Sequence, residues 1–161
     1  MIEQGIRSAI SYDPQTGEFR WLRKKSGCRS SLISGHKNKR LGYVQIGVNR
    51  KVYYAHRLAW LLTFGDWPTG AIDHINGDRS DNRISNLRLA DARLNAENLR
   101  RPTAINTSGY LGVTHCRDTG RWVAQIGVGG KHLHLGRFDT PESASVVYLA
   151  AKRKYHAGCT I

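Results

Sequence analysis

Acidic side chains are scarce here: 12 Asp and Glu stand against 25 Lys and Arg in 161 residues, a formal charge of +13. That imbalance excludes an acidic, self-solvating chain and points to polyanionic partners, which bind cationic surfaces by releasing condensed counterions. Long apolar runs are missing as well. No stretch approaches the roughly 20 apolar residues of a membrane span, or the core of a secretory signal, so the expectation is a cytoplasmic protein with no membrane partner. Cysteine is sparse: Cys28, Cys116 and Cys159 are an odd number with no close pair. They exclude a disulfide framework and a structural zinc knuckle, and read as incidental thiols. What remains is a hydrophobic share of 40%, enough for one ordinary domain or two small ones. No obligate protein partner is evident.

The chain is organised around Ile72-Asp73-His74-Ile75-Asn76-Gly77-Asp78, followed by asparagines at 82, 86, 95 and 98. Asp73 can hold a hard divalent cation that keeps open positions for a phosphate oxygen and water. His74, with an ordinary pKa of roughly 6.5, is suited to take the proton from that water. Adjacent strand residues point to opposite faces, so both can serve one phosphate only where the strand breaks, and Asn76-Gly77-Asp78 supplies the break. The constellation reads as a metal-assisted phosphodiester-cleaving site.

Residues 1–41 begin with a weak helical pattern at Ile2, Ile6 and Ile10, a turn at Asp13-Pro14-Gln15-Thr16-Gly17, and a short strand over Glu18–Leu22. Arg23-Lys24-Lys25 and His36–Arg40 bracket a Ser/Gly stretch that suggests loops along a phosphate backbone, or equally a solvated loop. Gly42–Val48 and Lys51–Ala55 read as a hairpin across Asn49-Arg50, with Val44, Ile46 and Val48 on one face. The period then changes. His56–Phe64 predicts a core helix with Leu58, Trp60, Leu61 and Leu62, ending before Gly65 and Pro68. His56, at its start, is more often a structural residue than a catalyst in such a position. Ala71–His74 and Asn86–Leu89 read as short strands around a polar loop, and Asp91–Leu99 as a helix. Asp91, Asn95 and Asn98 share one side of that helix, where asparagine costs about 0.6 kcal/mol against alanine. A solvated face explains them by itself; beside Asp73-His74, Asn95 becomes a second metal ligand facing Asp73.

Tyr54–Trp60, Asp73–Asp78, Asp81-Asn82-Arg83 and Ser85–Arg88 together resemble the HNH homing-type endonucleases of bacteriophages, over roughly Gly42–Asn98. The resemblance implies a ββα-metal fold with one divalent ion between hairpin and helix. It makes Asp73 and Asn95 the metal ligands, His74 the general base, Asn86 the asparagine that orients the histidine or hairpin, and His56 the upstream histidine of the motif. Carboxylate and amide ligands favour Mg2+ or Mn2+ over zinc. The paired cysteines of the zinc-stapled relatives are lacking, so packing alone must hold the hairpin.

Leu99–Ser108 reads as a linker, broken by Pro102. Beyond it Tyr110–Thr114, Arg121–Val128 and Lys131–Phe138 form a three-strand meander, with Gly129-Gly130 as a tight turn. Thr140 as N-cap and Pro141 start a helix whose Ala144, Val147, Tyr148, Ala151 and Tyr155 form one stripe, closing at Gly158. The helix is expected to cover the face of Trp122 and Leu133. Arg121, Gln125, His132 and His134 are left on the open face, either bare scaffold or a reader of the DNA major groove.

Tyr110–Val113, Trp122–Ile126 and His134–Glu142 resemble the plant ethylene-response-factor DNA-binding domain (AP-two type), over about Ser108–Ala157. There, arginines and tryptophans of the sheet touch bases and phosphates. Here Leu111, Thr114 and Gly127 hold several matching positions, and His132 and His134 replace the usual arginine and tryptophan. The implied DNA contacts are Arg117, Arg121, Gln125, His132 and His134.

The expected architecture is therefore α+β: a basic N-terminal region (1–41), an HNH nuclease domain (42–98), a linker (99–108), and a small three-stranded antiparallel sheet packed on one helix (109–158). The function it implies is a homing-type, metal-dependent endonuclease acting on double-stranded DNA. A DNA-binding transcriptional regulator with an inactive nuclease scaffold is the alternative, and an RNA-binding module a further one, without an evident base-stacking platform.

Overall fold

A computed structural model describes residues 2–22, 32–33 and 35–161, with side chains at 32 and 33 left aside. The Arg23-Lys24-Lys25 run and Cys28 lie outside the described residues. The chain is a mixed α+β protein of two compact units, one ending at Asp91 and the other running Ala92–Ile161.

In the first unit α1 (Ile2–Arg7) leads into β1 (Ile10–Tyr12), which pairs antiparallel with β2 (Phe19–Trp21), and β2 with β3 (Leu32–Ile33). Ile10 thus belongs to a strand, not to the helical pattern of Ile2 and Ile6, because the chain turns at Ser8-Ala9 and the isoleucine enters the core at 1% exposure. A second sheet joins β4 (His36–Lys37), β5 (Val44–Val48) and β6 (Lys51–Tyr54) in that order. Its β5–β6 turn has both central residues at positive φ, Asn49 at 50° and Arg50 at 63°, the backbone twist a two-residue hairpin demands. β5 sends Ile46 and Val48 into the core, against Leu58 and Leu61 of α2 (Ala55–Phe64). α2 ends on Gly65 in the left-handed region, and the Arg7 guanidinium donates to the carbonyls of Leu61 (3.0 Å) and Gly65 (2.9 Å). A cation on the last carbonyls offsets the helix dipole. The unit closes with β7 (Ala71–His74) antiparallel to β8 (Leu87–Ala90), joined through a polar loop and a 3-10 turn over Ile84–Asn86.

The second unit begins with α3 (Ala92–Glu97), shorter than the expected Asp91–Leu99. Its C-terminal end is fastened within its own unit. Glu97 accepts from Gly158 N (3.0 Å) and Arg93 Nε (2.8 Å), Asn98 Oδ1 accepts from Thr160 Oγ1 (2.8 Å), and Lys152 Nζ donates to the Leu99 carbonyl. The unit boundary falls upstream of the 99–108 stretch, and residues 97–100 are tied to α4 (Pro141–Tyr155) and the C-terminal tail.

β9 (Val113–Cys116), β10 (Arg121–Val128) and β11 (Lys131–Phe138) form an antiparallel sheet in the order β11-β10-β9. Thr140 caps α4 by accepting from Ser143 N (3.2 Å). α4 buries Ala144, Tyr148 and Ala151 against Val113, Ala124 and Ile126. Two details differ from the sequence pattern. A bulge opposite Ala124/Gln125 makes Leu135 the extra residue of β11; Leu135 packs on the core while Leu133 stays 43% exposed. Lys152, not Tyr155, is the buried member of the last helical turn, its charge met by the Leu99 carbonyl. Among the described residues no helix is long and apolar enough to cross a membrane.

The tightest joint in this unit is Gly112, at φ +66°, where a Cβ would lie 2.0 Å from the Tyr148 ring. Gly112→Ala combines left-handed strain with a clash against a buried ring, and is expected to cost about 3 kcal/mol or more of unfolding free energy. Gly127→Ala, with nothing within 4 Å, is the control. Urea unfolding of the two variants measures the difference.

Candidate active site

Cross-strand pairing places the first site residue. β7 and β8 set Asp73 opposite Arg88, whose Nε and Nη2 donate to Asp73 Oδ2 at 3.0 and 2.8 Å. A charge-assisted pair of this kind fixes the carboxylate's direction more firmly than a single bond does. His74, the last strand residue, is 3% exposed and pairs with Leu87. The chain then turns, with Gly77 N donating to the His74 carbonyl (2.8 Å).

Asn86 closes the loop. Its Oδ1 accepts from Asn76 N (2.8 Å), its Nδ2 donates to the Asp81 carbonyl (2.8 Å), and its own carbonyl accepts from Ile75 N (2.9 Å). Other loop side chains serve one another: Asn76 Nδ2 donates to Asp81 (2.7 Å), Asp78 accepts from Ser80, and Arg83 pairs with Asp81 at 2.6 Å. Hydrogen bonds hold both Asp78 and Asp81 below the usual carboxylate range, Asp81 at about 2 chiefly through Arg83.

His56, in the first turn of α2, is buried beside this strand end. Its ring stands edge-on to His74 (5.2 Å, 86°) and stacks on Tyr54 (5.4 Å, 13°). Tyr43 lies against both histidines at 5.1 and 5.8 Å, with the Arg79 guanidinium 4.8 Å over its ring. Burial, with the neighbouring His74 and Arg57, pushes the His56 imidazole down to about 3, and its Nδ1 has no hydrogen-bond partner among the described residues. Burial also lowers His74, against the charges of Asp73, Asp78 and Asp81. Both rings are neutral at pH 7.

The geometry thus gathers Asp73, His74, Asn86 and His56 in the first unit. Asn95 lies half-buried on α3, in the second unit; Asn98 lies past the end of that helix with its side chain engaged by Thr160. Among the described residues no group of three or more His, Cys, Asp or Glu could hold a metal by itself. The donor set that is present, carboxylate and amide oxygens, suits a hard cation that keeps its waters and is bound by one or two protein groups plus phosphate. Arg88 and Tyr43 carried no role in the sequence reading; the first could have been found by pairing Ile72 with Leu89, which puts Arg88 across from Asp73.

On the sheet of the second unit, Gln125 pairs with His134 and Gly127 with His132, so the side chains of Gln125, His132 and His134 share one exposed face. Arg121 stands at the start of β10, paired with Asp139 at 3.2 Å, and Arg117 is exposed in the β9–β10 turn.

A family model described as HNH endonuclease matches residues 53–100. Protein 3.8 of Escherichia phage T7 is 30% identical over 102 residues, which span 63% of this chain and 83% of that protein. APETALA2-like protein 2 of Oryza sativa subsp. indica is 40% identical over 67 residues, 42% of this chain but 15% of its own length. The AP2-like ethylene-responsive transcription factor TOE2 of Arabidopsis thaliana is 43% identical over 56 residues, 12% of its length. A solved structure of the HNH homing endonuclease I-HmuI aligns over 93% of this chain and 88% of its own at 20% identity, with a TM-score of 0.44.

The buried histidines make stability depend on pH. His56 titrates near 6.5 in the unfolded chain and at about 3 in the folded one, so between these values the unfolded chain binds the extra proton. Its contribution is complete above pH 6.5 and is lost as pH falls toward 3; His74 shifts the same way. Unfolding free energy is expected to drop by about 2 to 3 kcal/mol from pH 7 to pH 4.5 on account of His56. Urea melts at the two pH values should show the drop, and His56→Leu should remove it.

Proposed function

The chain belongs to the HNH endonuclease family, and from that premise we propose that it is a homing-type nuclease that hydrolyses phosphodiester bonds in double-stranded DNA with a divalent ion. The observation that carries the reading is the loop stapled by Asn86 at the end of the strand on which Asp73, held by Arg88, is followed by the buried His74. Asp73, its carboxylate fixed by Arg88, would hold the ion, Mg2+ or Mn2+. The bound ion supplies Lewis-acid polarisation of the phosphate and charge stabilisation at the leaving oxygen. An imidazole nitrogen of His74 takes the proton of the attacking water. With 3% of its surface open, His74 can act on a small molecule delivered to it and on nothing bulky. Asn86 acts through the loop, and His56, lacking polar partners, packs against His74.

The second unit is assigned DNA affinity and placement. Arg117, Arg121, Gln125, His132 and His134 are exposed on or beside one sheet, and the partial likeness to the plant transcription factors supports that reading. The overall +13 charge supports it too. A regulator with an inert nuclease scaffold is disfavoured, since Asp73, His74 and Asn86 are all present.

Supercoiled plasmid incubated with the protein, with and without magnesium and chelator, tests the reading: nicked or linear DNA is expected only with metal. Asp73→Ala is expected to abolish cleavage while DNA binding in gel shifts survives. His74→Ala is expected to slow single-turnover cleavage 10²- to 10⁴-fold, roughly 3 to 5 kcal/mol of barrier, and His56→Ala less. Because His74 titrates below its ordinary value, the rate plateau should extend below pH 6.5. A normal rate for Asp73→Ala, or the reverse order of the two histidines, refutes the assignment. Gln125→Ala should weaken DNA binding by about 1 to 3 kcal/mol, read by titration across salt concentrations.

A further inference from the structure

The turn between β4 and β5 carries cations that the site itself does not use. Asn38 builds it: its N donates to the Tyr43 carbonyl (2.9 Å), its carbonyl accepts from Gly42 N (2.7 Å), and its Oδ1 accepts from Arg40 N (3.0 Å) and Leu41 N (2.9 Å). The turn is fastened to the loop that follows His74. Arg79 Nη1 donates to the Leu41 carbonyl (2.8 Å), Lys37 Nζ donates to Ser80 Oγ (3.2 Å), and a Cβ on Gly42 would lie 3.8 Å from the Arg79 side chain. Tyr43 continues the contact inward, with the Arg79 guanidinium 4.8 Å over its ring and the His56 and His74 rings at 5.1 and 5.8 Å. Lys37, Lys39, Arg40 and Arg79 are all exposed. Arg83 and Arg88 pair with Asp81 and Asp73, whereas Arg79 and Lys37 hold uncharged oxygens, Lys37 also helping to lower Asp78. Arg40 serves the turn through its main-chain N, and its side chain, like that of Lys39, faces solvent.

We propose that the Lys37–Leu41 turn, with Arg79, is a phosphate-backbone contact of the first unit, gripping the DNA strand beside the bond presented to Asp73 and His74. The proposal deepens the nuclease reading and rests on DNA being the substrate; it gives the first unit an affinity of its own, apart from the sheet of the second. A turn that only linked two strands needs neither the fastening nor four cations within reach of one loop. A phosphate next to a cleaved bond calls for both. Exposed charges act over about 8 Å at physiological salt, so cations that hold the backbone must be fixed close to its track, and a guanidinium fork matches the phosphate oxygens.

The test uses the full chain and a labelled random-sequence duplex without metal, titrated by gel shift at several salt concentrations. Lys39→Ala/Arg40→Ala is compared with Arg50→Gly/Lys51→Ala, which also removes two charges but from the exposed turn at the other end of β5, where glycine suits the positive φ of Arg50. Each phosphate contact contributes about 0.9 to the slope of log affinity against log salt, so the first pair is expected to lower the slope by about 1.8 and to raise Kd by about tenfold or more at about 0.1 M salt. The second pair should keep the wild-type slope. An unchanged slope for Lys39→Ala/Arg40→Ala overturns the proposal, and so do equal falls for the two pairs, which would mean that net charge alone attracts the DNA. Plasmid cleavage by the wild type in magnesium separates this from the nuclease reading. If the slope falls as expected and plasmid is never cut, the nuclease reading fails and the contact stands; if plasmid is cut and the slope does not fall, the contact fails and the nuclease reading stands.

Discussion

The Asn86 carboxamide is the constraint on which the site depends. A polar connection of twelve residues, 75–86, between two four-residue strands has no ladder of its own, and its main-chain groups must find partners or water. Asn86 meets two of them with one planar group, accepting from Asn76 N and donating to the Asp81 carbonyl, and its main chain takes a third, Ile75 N. An amide can do both at once because it carries a donor and an acceptor on opposite sides; aspartate or leucine of similar size would satisfy at most one side. Once the loop is closed, the Asp73–Arg88 register and the turn after His74 follow from it.

Electrostatics act at two ranges. Over the whole chain the charge is +13, which attracts a polyanion from a distance set by the Debye length. At the strand end the charges balance: Asp73, Asp78 and Asp81 lie in one short stretch with Arg79, Arg83 and Arg88, and hydrogen bonds hold Asp78 and Asp81 ionised. The cation these carboxylates meet is a guanidinium, Arg88 for Asp73 and Arg83 for Asp81. Burial then keeps His74 and His56 from supplying that cation themselves, since protonating either ring would leave a charge poorly solvated.

Local patterns in the sequence anticipated local structure well. Asn49-Arg50 fixed the β5–β6 hairpin because two positive φ angles are cheap there, and Thr140-Pro141 fixed the start of α4 because an N-cap oxygen and a proline act within one turn. The adjacency of Asp73 and His74 was likewise plain from the chain. What the sequence hid was non-local. Arg88 meets Asp73 only through a register, Asn82 meets Tyr12 across 70 positions, and the β11 bulge exchanges Leu133 for Leu135 beside Gly136, whose φ of 141° is its one local mark. Asn98 read as part of a solvated helix face, yet it and Glu97 are each 7% exposed, because the C-terminal tail folds over them.

That tail changes what the 97–100 stretch is. Glu97 receives Gly158 N, Asn98 receives Thr160, and the Leu99 carbonyl receives a lysine that is 1% exposed. Buried polar groups left without such partners cost about 1 to 3 kcal/mol each. A six-residue helix has little stability of its own, since nucleation alone is unfavourable. α3 therefore owes its shape to residues more than 50 positions later in the chain, and a chain ending at Pro102 would keep the sequence of this helix without the groups that fold it. Asn95, which the family resemblance makes a metal ligand, sits on that helix, so its placement within the second unit depends on the folding of the sheet beside it.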